Sequence, residues 1–89
     1  MSQRFSIEFR RSADKELEKL DGRTRARILR NIIALADNPR PHGARALVGE
    51  DGLWRIRVGD YRVVYEVTDA ELLVLVVRIA HRSSVYRKL

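Results

Sequence analysis

Two runs of alternating residues flank Gly59-Asp60, and this feature limits the possible folds of the chain more than any other. Residues 53–58 and 61–68 place an apolar residue at nearly every second position, which is the period of a half-buried β-strand. A Gly-Asp pair between two such runs is typical of the two-residue loop of a hairpin. The sequence therefore predicts an antiparallel hairpin in which Arg57 lies opposite Arg62.

The predicted hairpin has one apolar face and one basic face. The apolar face is formed by Trp54, Ile56, Val58, Tyr61, Val63, Tyr65 and Val67. The opposite face carries Arg55, Arg57 and Arg62, together with Val64 and Glu66. Because two arginines directly opposite each other on a sheet repel, a bound anion explains this face better than folding does. The alternative is a solvated basic face that Glu66 partly neutralises.

The first half of the chain has mainly helical periodicity. A short strand is predicted over residues 5–9, and Ser12 is then expected to cap a first helix that ends at Asp21-Gly22. A second helix with an apolar face is predicted over residues 23–37. It ends before Pro39, because proline cannot continue a helix.

After the hairpin, a nearly continuous apolar run over residues 72–80 predicts a strand that is buried on both faces. The predicted order of elements is β-α-α-β-β-β. This order indicates an α+β fold in which a small antiparallel sheet packs against a helical hairpin. The chain has 89 residues, so we expect one domain that spans residues 1–89.

The charge and composition restrict the possible partners. Eighteen lysines and arginines against twelve aspartates and glutamates give a net charge of +6. Such a charge indicates either a polyanionic partner, nucleic acid or an acidic protein segment, or a basic surface without a partner, and charge alone does not choose between them. There is no cysteine, no apolar run long enough for a membrane and no secretion signal, so a cytoplasmic protein is expected.

The residue types also restrict the chemistry. Two histidines, no cysteine and no acidic cluster argue against a catalytic metal. Neither a G-x-S-x-G elbow nor a glycine-rich phosphate loop is present. Cleavage of RNA by its own 2′-hydroxyl remains, in which arginines stabilise the charge on the phosphate and a base removes the 2′ proton. Tyr86 and His81 are the two candidates for that base.

Two further basic segments could contribute to a site. The end of the last strand could bring Arg82 and Tyr86 to the rim of the arginine-rich face, the alternative being a frayed tail. In the second helix, Arg23, Arg27 and Arg30 recur on one face. The simpler interpretation of this stripe, the solvent-exposed side of an amphipathic helix, is preferred.

Residues 54–65 resemble the W-R-x-R-x-G-D-Y-R-x-x-Y core of RelE-like toxins, a branch of the RelE/ParE superfamily of type II toxin–antitoxin systems. His81-Arg82 followed by Tyr86-Arg87 is similar to their H-R-x-x-x-Y-R ending, and residues 13–20 share their A-x-K-x-L-x-K-L pattern. The resemblance implies a microbial ribonuclease-like α+β fold and a cognate antitoxin protein as partner. It also implies cleavage of mRNA in the ribosomal A site, where ribosomal RNA is contacted as well.

The resemblance further implies roles for single residues. Arg62 corresponds to the arginine that holds the scissile phosphate, and Arg82 to one that stabilises the transition state. Tyr86 corresponds to the tyrosine that acts as general base. Arg55 and Arg57 stand where the best-known members have lysines. Because arginine does not give up its proton, the expected role of both is charge stabilisation, and the group that protonates the leaving oxygen stays open.

His81, Arg87 and Lys88 are expected to contact RNA, and neither a metal nor a small-molecule cofactor is expected. Two alternatives stay open beside the ribosome-dependent endoribonuclease. One is a gyrase poison of the ParE branch, which shares the fold, although the combination of Arg62, Arg82 and Tyr86 argues against it. The other is a module that binds protein or RNA without catalysis.

Overall fold

The computed structural model describes residues 3–49 and 52–83 of the chain. Two helices come first along the chain after one short strand, and four strands follow. The elements are β1 (Ser6–Phe9), α1 (Arg11–Glu18), α2 (Gly22–Ala34), β2 (Arg45–Ala46), β3 (Leu53–Val58), β4 (Tyr61–Thr68), a single 3-10 turn (Asp69–Glu71) and β5 (Leu73–His81). The predicted α+β class and the order of the longer elements are therefore confirmed.

The strands form one sheet in the order β1-β5-β4-β3-β2. The pairs β2–β3, β3–β4 and β4–β5 are antiparallel, as expected. The prediction of a purely antiparallel sheet was wrong in one place, because β1 pairs with β5 in parallel. Parallel neighbours require a long connection, which residues 10–72 provide. The short strand β2 was not predicted, since two residues are too few to show an alternating period.

Both helices pack on the same face of the sheet and enclose the core. Ala13 and Leu17 of α1, which packs against β5 and β1, and Ile28 and Ile32 of α2, which packs against β3, are buried in this core. The core also contains Val63, Tyr65, Val67, Val74, Val76 and Ile79. Each large side chain that is fully buried stabilises the fold by roughly 1.5–3 kcal/mol relative to exposure. The predicted apolar face is thus the face that the helices cover.

The first helix begins earlier than predicted. Arg10 occupies the N-cap position, so Ser12 lies inside the first turn, where its hydroxyl donates to the Val77 carbonyl at 3.5 Å. Further along the helix, a carboxylate oxygen of Glu16 accepts a hydrogen bond from the Ile79 amide at 2.8 Å. Polar side chains of α1 thus form hydrogen bonds with backbone groups at the edge of β5 beyond the end of β1. The hydroxyl of Ser12 takes part in one of these bonds and does not cap the helix.

The second helix is shorter than predicted and ends at Ala34, after which a turn continues to residue 37. Asp21 is its N-cap and accepts a hydrogen bond from the Thr24 amide at 3.2 Å. Bonds from Thr24 hold the pKa of the Asp21 carboxyl below its usual value. The boundary at Asp21-Gly22 follows from this cap.

The last strand is buried mainly on one face. Val74, Val76 and Ile79 belong to the core, whereas Leu73, Leu75 and Val77 are only half-buried. Full burial of both faces was therefore not borne out, because the helices cover the sheet on one side only. A bulge interrupts the pairing of β4 with β5: Val64 pairs with Arg78, whereas Tyr65 pairs with Val76. Val77 is the extra residue.

Candidate functional site

The turn of the hairpin has the predicted two residues. Gly59 has a φ of +60°, in the left-handed region that favours glycine, and Asp60 has no positive φ, which is the pattern of a type II′ turn. Val58 pairs with Tyr61, and Arg57 pairs with Arg62, as predicted. A Cβ at Gly59 would also lie 2.9 Å from Nη1 of Arg27, so the turn leaves room for this side chain of α2.

Four arginines line an open depression of about 170 Å³ on the face of the sheet opposite the helices. We call this set the arginine face; it consists of Arg45, Arg55, Arg57 and Arg62, and Gly43 completes the wall of the depression. The pairing places Arg57 opposite Arg62 and Arg45 opposite Arg55. Partners on neighbouring antiparallel strands have Cβ atoms about 4.5–5.5 Å apart. Each of these two pairs therefore brings two positive charges close together.

The charge of the arginine face is not compensated by ion pairs with described carboxylates. Arg4, Arg40, Arg78 and Arg82 form the ion pairs found among residues 3–49 and 52–83, and none of these belongs to the arginine face. Arg57 donates from Nε to the Gly59 carbonyl at 3.3 Å, which orients its guanidinium along the turn. Closely spaced guanidinium groups in an open depression can bind a polyanion such as a phosphodiester chain.

Arg62 is the member of this set that belongs to β4. It lies in β4 between β3 and β5, it is half-buried, and its neighbour on β5 is the small side chain of Ala80. Arg78, two residues earlier in β5, projects on the same face, but it forms an ion pair with Glu16 at 3.4 Å. Arg62 is therefore the member of the arginine face that lies next to β5, the strand that leads to Arg82.

Arg82 follows the end of β5 and is fixed beside the hairpin turn. Its amide donates to the Asp60 carbonyl at 2.6 Å, and its Nε lies 3.5 Å from Oδ1 of Asp60. Its side chain is 62% exposed. Arg82 thus lies two residues beyond Ala80, the partner of Arg62, at one end of the arginine face.

His81 lies on the other face of the sheet. It pairs with Tyr61, whose ring it meets edge to face with centroids 5.2 Å apart, and Tyr61 packs against the helix-covered core. The Ser83 amide donates to Nδ1 of the imidazole at 3.1 Å, so the neutral ring carries its proton on Nε2. The structure does not bring His81 together with the arginines, which weakens the case for this residue as the base.

Tyr86, Arg87 and Lys88 were the remaining candidates from the sequence. They lie outside the described residues, as does the whole segment 84–89.

The basic stripe of α2 lies on the helix side of the molecule. Arg23 and Arg27 line a groove of about 220 Å³ together with the hairpin turn and Tyr61. Arg30 is exposed further along the helix. None of these three lines the depression of the arginine face, which agrees with a surface role for the stripe.

The segment between α2 and β2 is anchored by a group of contacts that the sequence does not predict. The hydroxyl of buried Tyr65 donates to the Pro39 carbonyl at 2.7 Å. Arg40 donates two hydrogen bonds to the Asp69 carboxylate, at 3.1 and 2.7 Å, and its guanidinium lies 5.3 Å from the centroid of the Trp54 ring. These contacts fix the start of the segment that leads to the arginine face.

Three side chains of this group have shifted pKa values. Burial raises the pKa of Tyr65 to about 12. The Arg40 guanidinium beside it lowers the pKa of the Asp69 carboxyl, and the bond to Asp69 raises the pKa of Arg40. Both shifts favour the charged forms of Arg40 and Asp69.

Arg45 was also missed, although it lines the same depression as the predicted arginines. It belongs to the two-residue strand β2, which no periodicity reveals. The sequence feature that could have indicated this strand is Gly43. In the structure, Gly43 has a φ of +94° and turns the chain into β2.

No three His, Cys, Asp or Glu side chains are grouped closely enough to hold a metal ion among residues 3–49 and 52–83. Over the same ranges, no helix has both the length and the apolar character needed to span a membrane.

The arrangement of two helices on a mixed five-stranded sheet defines the fold of the RelE toxins. The toxin–antitoxin complex RelBE2 from Mycobacterium tuberculosis contains a chain that superposes with a TM-score of 0.82 at 26% identity, over 94% of this chain and 98% of that one. The intact RelBE toxin–antitoxin complex of E. coli gives a TM-score of 0.76 at 26% identity, over 88% of this chain and 95% of that one.

Sequence comparisons extend the likeness. A putative RelE-like toxin protein of Escherichia coli is 33% identical, over 93% of this chain and 90% of its own length. Toxin RelE of Mycobacterium tuberculosis is 31% identical, over 93% and 87%. The family model described as the ParE toxin of type II toxin–antitoxin systems matches residues 7–86. The chain belongs to this family of RelE/ParE toxins.

Proposed function

We propose that this protein is an endoribonuclease that blocks translation by cutting mRNA on the ribosome, without a metal ion or other cofactor. The observation that carries the proposal is the arginine face, on which four guanidinium groups line one depression and form no ion pair with a described carboxylate. Like charges in this arrangement destabilise a sheet, so a polyanionic substrate is the better explanation for them.

The proposed reaction uses the nucleophile that RNA itself supplies. The 2′-oxygen attacks the adjacent phosphorus, the bond to the 5′-oxygen breaks, and a 2′,3′-cyclic phosphate remains on the upstream fragment. Arg62 holds the scissile phosphate, and Arg57 lies opposite it to stabilise the negative charge that develops on the phosphate oxygens. Arg55 and Arg82 add positive charge at the two ends of the face.

Tyr86 is the proposed base that removes the 2′ proton. The other candidate base, His81, lies on the helix-covered face of the sheet with Tyr61. Arginine is a poor proton donor in general, so a group other than Arg55 and Arg57 is expected to protonate the leaving 5′-oxygen.

The matching family model carries the ParE name, so a gyrase poison, the alternative that the resemblance left open, is the second candidate function. The relatives that carry the RelE name, and the presence of Arg62, Arg82 and Tyr86 in one chain, favour the nuclease. DNA breaks on induction would instead favour the gyrase poison, and RNA binding without cleavage the non-catalytic module.

An antitoxin protein is the proposed partner, because RelE relatives were solved in complex with RelB antitoxins. An acidic amphipathic segment suits a toxin with a net charge of +6. The proposed site of action places the protein in the cytoplasm, and residues 1–89 are proposed to act as one toxin domain.

Primer extension on a translated message, with and without ribosomes, tests the proposed activity. We expect cuts within codons only when ribosomes are present, and loss of these cuts in Tyr86→Phe and Arg62→Ala. Arg11→Gln is the matched control, because Arg11 is exposed on α1 and does not line the depression of the arginine face. Full cleavage by the Tyr86→Phe, Arg62→Ala double variant would contradict the proposal.

A further inference from the structure

We propose that Arg45 binds the RNA at a phosphate next to the scissile one, and so positions the strand across the arginine face. The inference rests on the proposed RNA substrate and adds a residue that the family motif does not contain. Its basis is the pairing of β2 with β3, which places Arg45 opposite Arg55 and on the wall of the same depression as Arg57 and Arg62.

The geometry of the sheet separates Arg45 from the scissile phosphate. Arg62 and Arg45 lie on opposite sides of β3, and their partners on that strand, Arg57 and Arg55, are two residues apart. Two strand spacings and two residues of rise correspond to about 12 Å between the Cα atoms of Arg45 and Arg62. Both side chains reach into one depression, but they suit successive phosphates of a strand rather than the same phosphate.

The backbone around Arg45 is fixed before any ligand binds. The amide of Leu47 donates to the Leu53 carbonyl at 3.0 Å, which closes the far side of the short strand. On the near side, the amide of Ala44 donates to the Pro41 carbonyl at 2.9 Å. The side chain of Arg45 is exposed, whereas its backbone is held. Because the backbone is already held, binding of a phosphate has to order only the side chain of Arg45.

Charge gives the second argument. Arg45 opposite Arg55 is the second pair of like charges on this face, after Arg57 opposite Arg62. Each such pair destabilises the sheet, and β2 is so short that the repulsion acts on one of its two paired positions. A phosphate between each pair removes the repulsion, and a strand of RNA supplies phosphates at regular intervals.

The binding arm of the test uses a fluorescein-labelled uridine hexanucleotide with 2′-O-methyl groups, which cannot be cleaved, and follows its anisotropy at several salt concentrations. Arg45→Gln is expected to weaken binding about tenfold at low salt. It is also expected to reduce the slope of log affinity against log salt by about 0.7, the value for one phosphate contact on a single strand. Arg45→Lys should keep the slope, and Arg11→Gln should match the wild type.

The cleavage arm uses ribosomes programmed with a short message. Arg45→Gln should raise the toxin concentration for half-maximal cleavage about tenfold and leave the maximal rate within about twofold, because Arg45 does not contact the reacting phosphate. Arg62→Ala should lower the maximal rate instead. If Arg45→Gln behaves like Arg11→Gln in the binding arm, or if the wild type does not bind the hexanucleotide, the inference is overturned. If Arg45→Gln weakens hexanucleotide binding as expected but the wild type cleaves no message on ribosomes, the RNA contact of Arg45 would be supported and the proposed nuclease activity refuted.

Discussion

At the scale of single residues, the site and the stability of the fold have opposing requirements. The pair formed by Arg57 and Arg62 occupies positions where a sheet built for stability would have a neutral or opposite-charge pair. The same two residues are the ones proposed to hold the scissile phosphate and stabilise its charge. Removing one of them should therefore improve the fold while it damages the activity.

Replacing Arg57 with Thr tests this opposition directly. We expect Arg57→Thr to raise Tm by about 1–8 °C, because relief of a cross-strand repulsion contributes about 0.2–1 kcal/mol and each kcal/mol shifts Tm of a domain this size by about 4–8 °C. Differential scanning fluorimetry at low salt measures the change. The same substitution in an Arg62→Thr background should give no increase. An equal increase in both backgrounds would mean that the two charges do not repel.

At the scale of elements, the segment between α2 and β2 connects the core to the arginine face. Tyr65 lies in the middle of β4 and is fully buried, yet its hydroxyl reaches the Pro39 carbonyl at 2.7 Å. Arg40 extends the anchor to Asp69 and Trp54. A residue that the sequence indicates only as part of the apolar face thus also determines where the next element begins.

Tyr65→Phe should lower the free energy of unfolding by about 1–2 kcal/mol, because the Pro39 carbonyl then loses its partner in a buried position. Urea unfolding followed by fluorescence measures the loss. Tyr61→Phe is the matched control, since the ring that contacts His81 is retained. If both variants are equally stable, the hydrogen bond of Tyr65 does not anchor the segment.

The same residue predicts a dependence on alkaline pH. Burial raises the pKa of Tyr65 to about 12, above the ordinary value of about 10 that the unfolded chain has. The stabilisation from keeping Tyr65 neutral is therefore present below pH 10 and is lost as the pH rises through about 12. The wild type should lose more stability than Tyr65→Phe between these two pH values. Parallel declines in Tm of the two proteins would contradict the assignment.

At the scale of the whole molecule, the sequence predicts the hairpin better than it predicts the edges of the sheet. A two-residue loop determines the register of β3 and β4, so the positions of Arg55, Arg57 and Arg62 on one face follow from Gly59-Asp60 alone. Arg45 could not be found in this way, because its face depends on a pairing of two residues that tertiary contacts hold in place.

The position of His81 shows a second limit of sequence patterns. Strict alternation from Val74 would place His81 on the same face as Arg62. The bulge at Val77 shifts the alternation by one residue, so that Ile79 and His81 face the helices instead. Because residues 72–80 are almost all apolar, the sequence carries no sign of this shift. The face on which His81 lies could therefore be assigned only from the three-dimensional pairing.

The charge of the whole chain leads to a last prediction, on the antitoxin. A toxin with a net charge of +6 and an arginine face without described acidic partners is suited to a protein that brings carboxylates to it. We expect induction of this chain alone to arrest growth, and co-expression with the adjacent small gene to restore it. The purified pair should also have a higher Tm than the toxin alone, because a partner that binds only the folded state stabilises it by mass action. Growth arrest that persists on co-expression, with the partner shown to be produced, would mean that this neighbour is not the antitoxin.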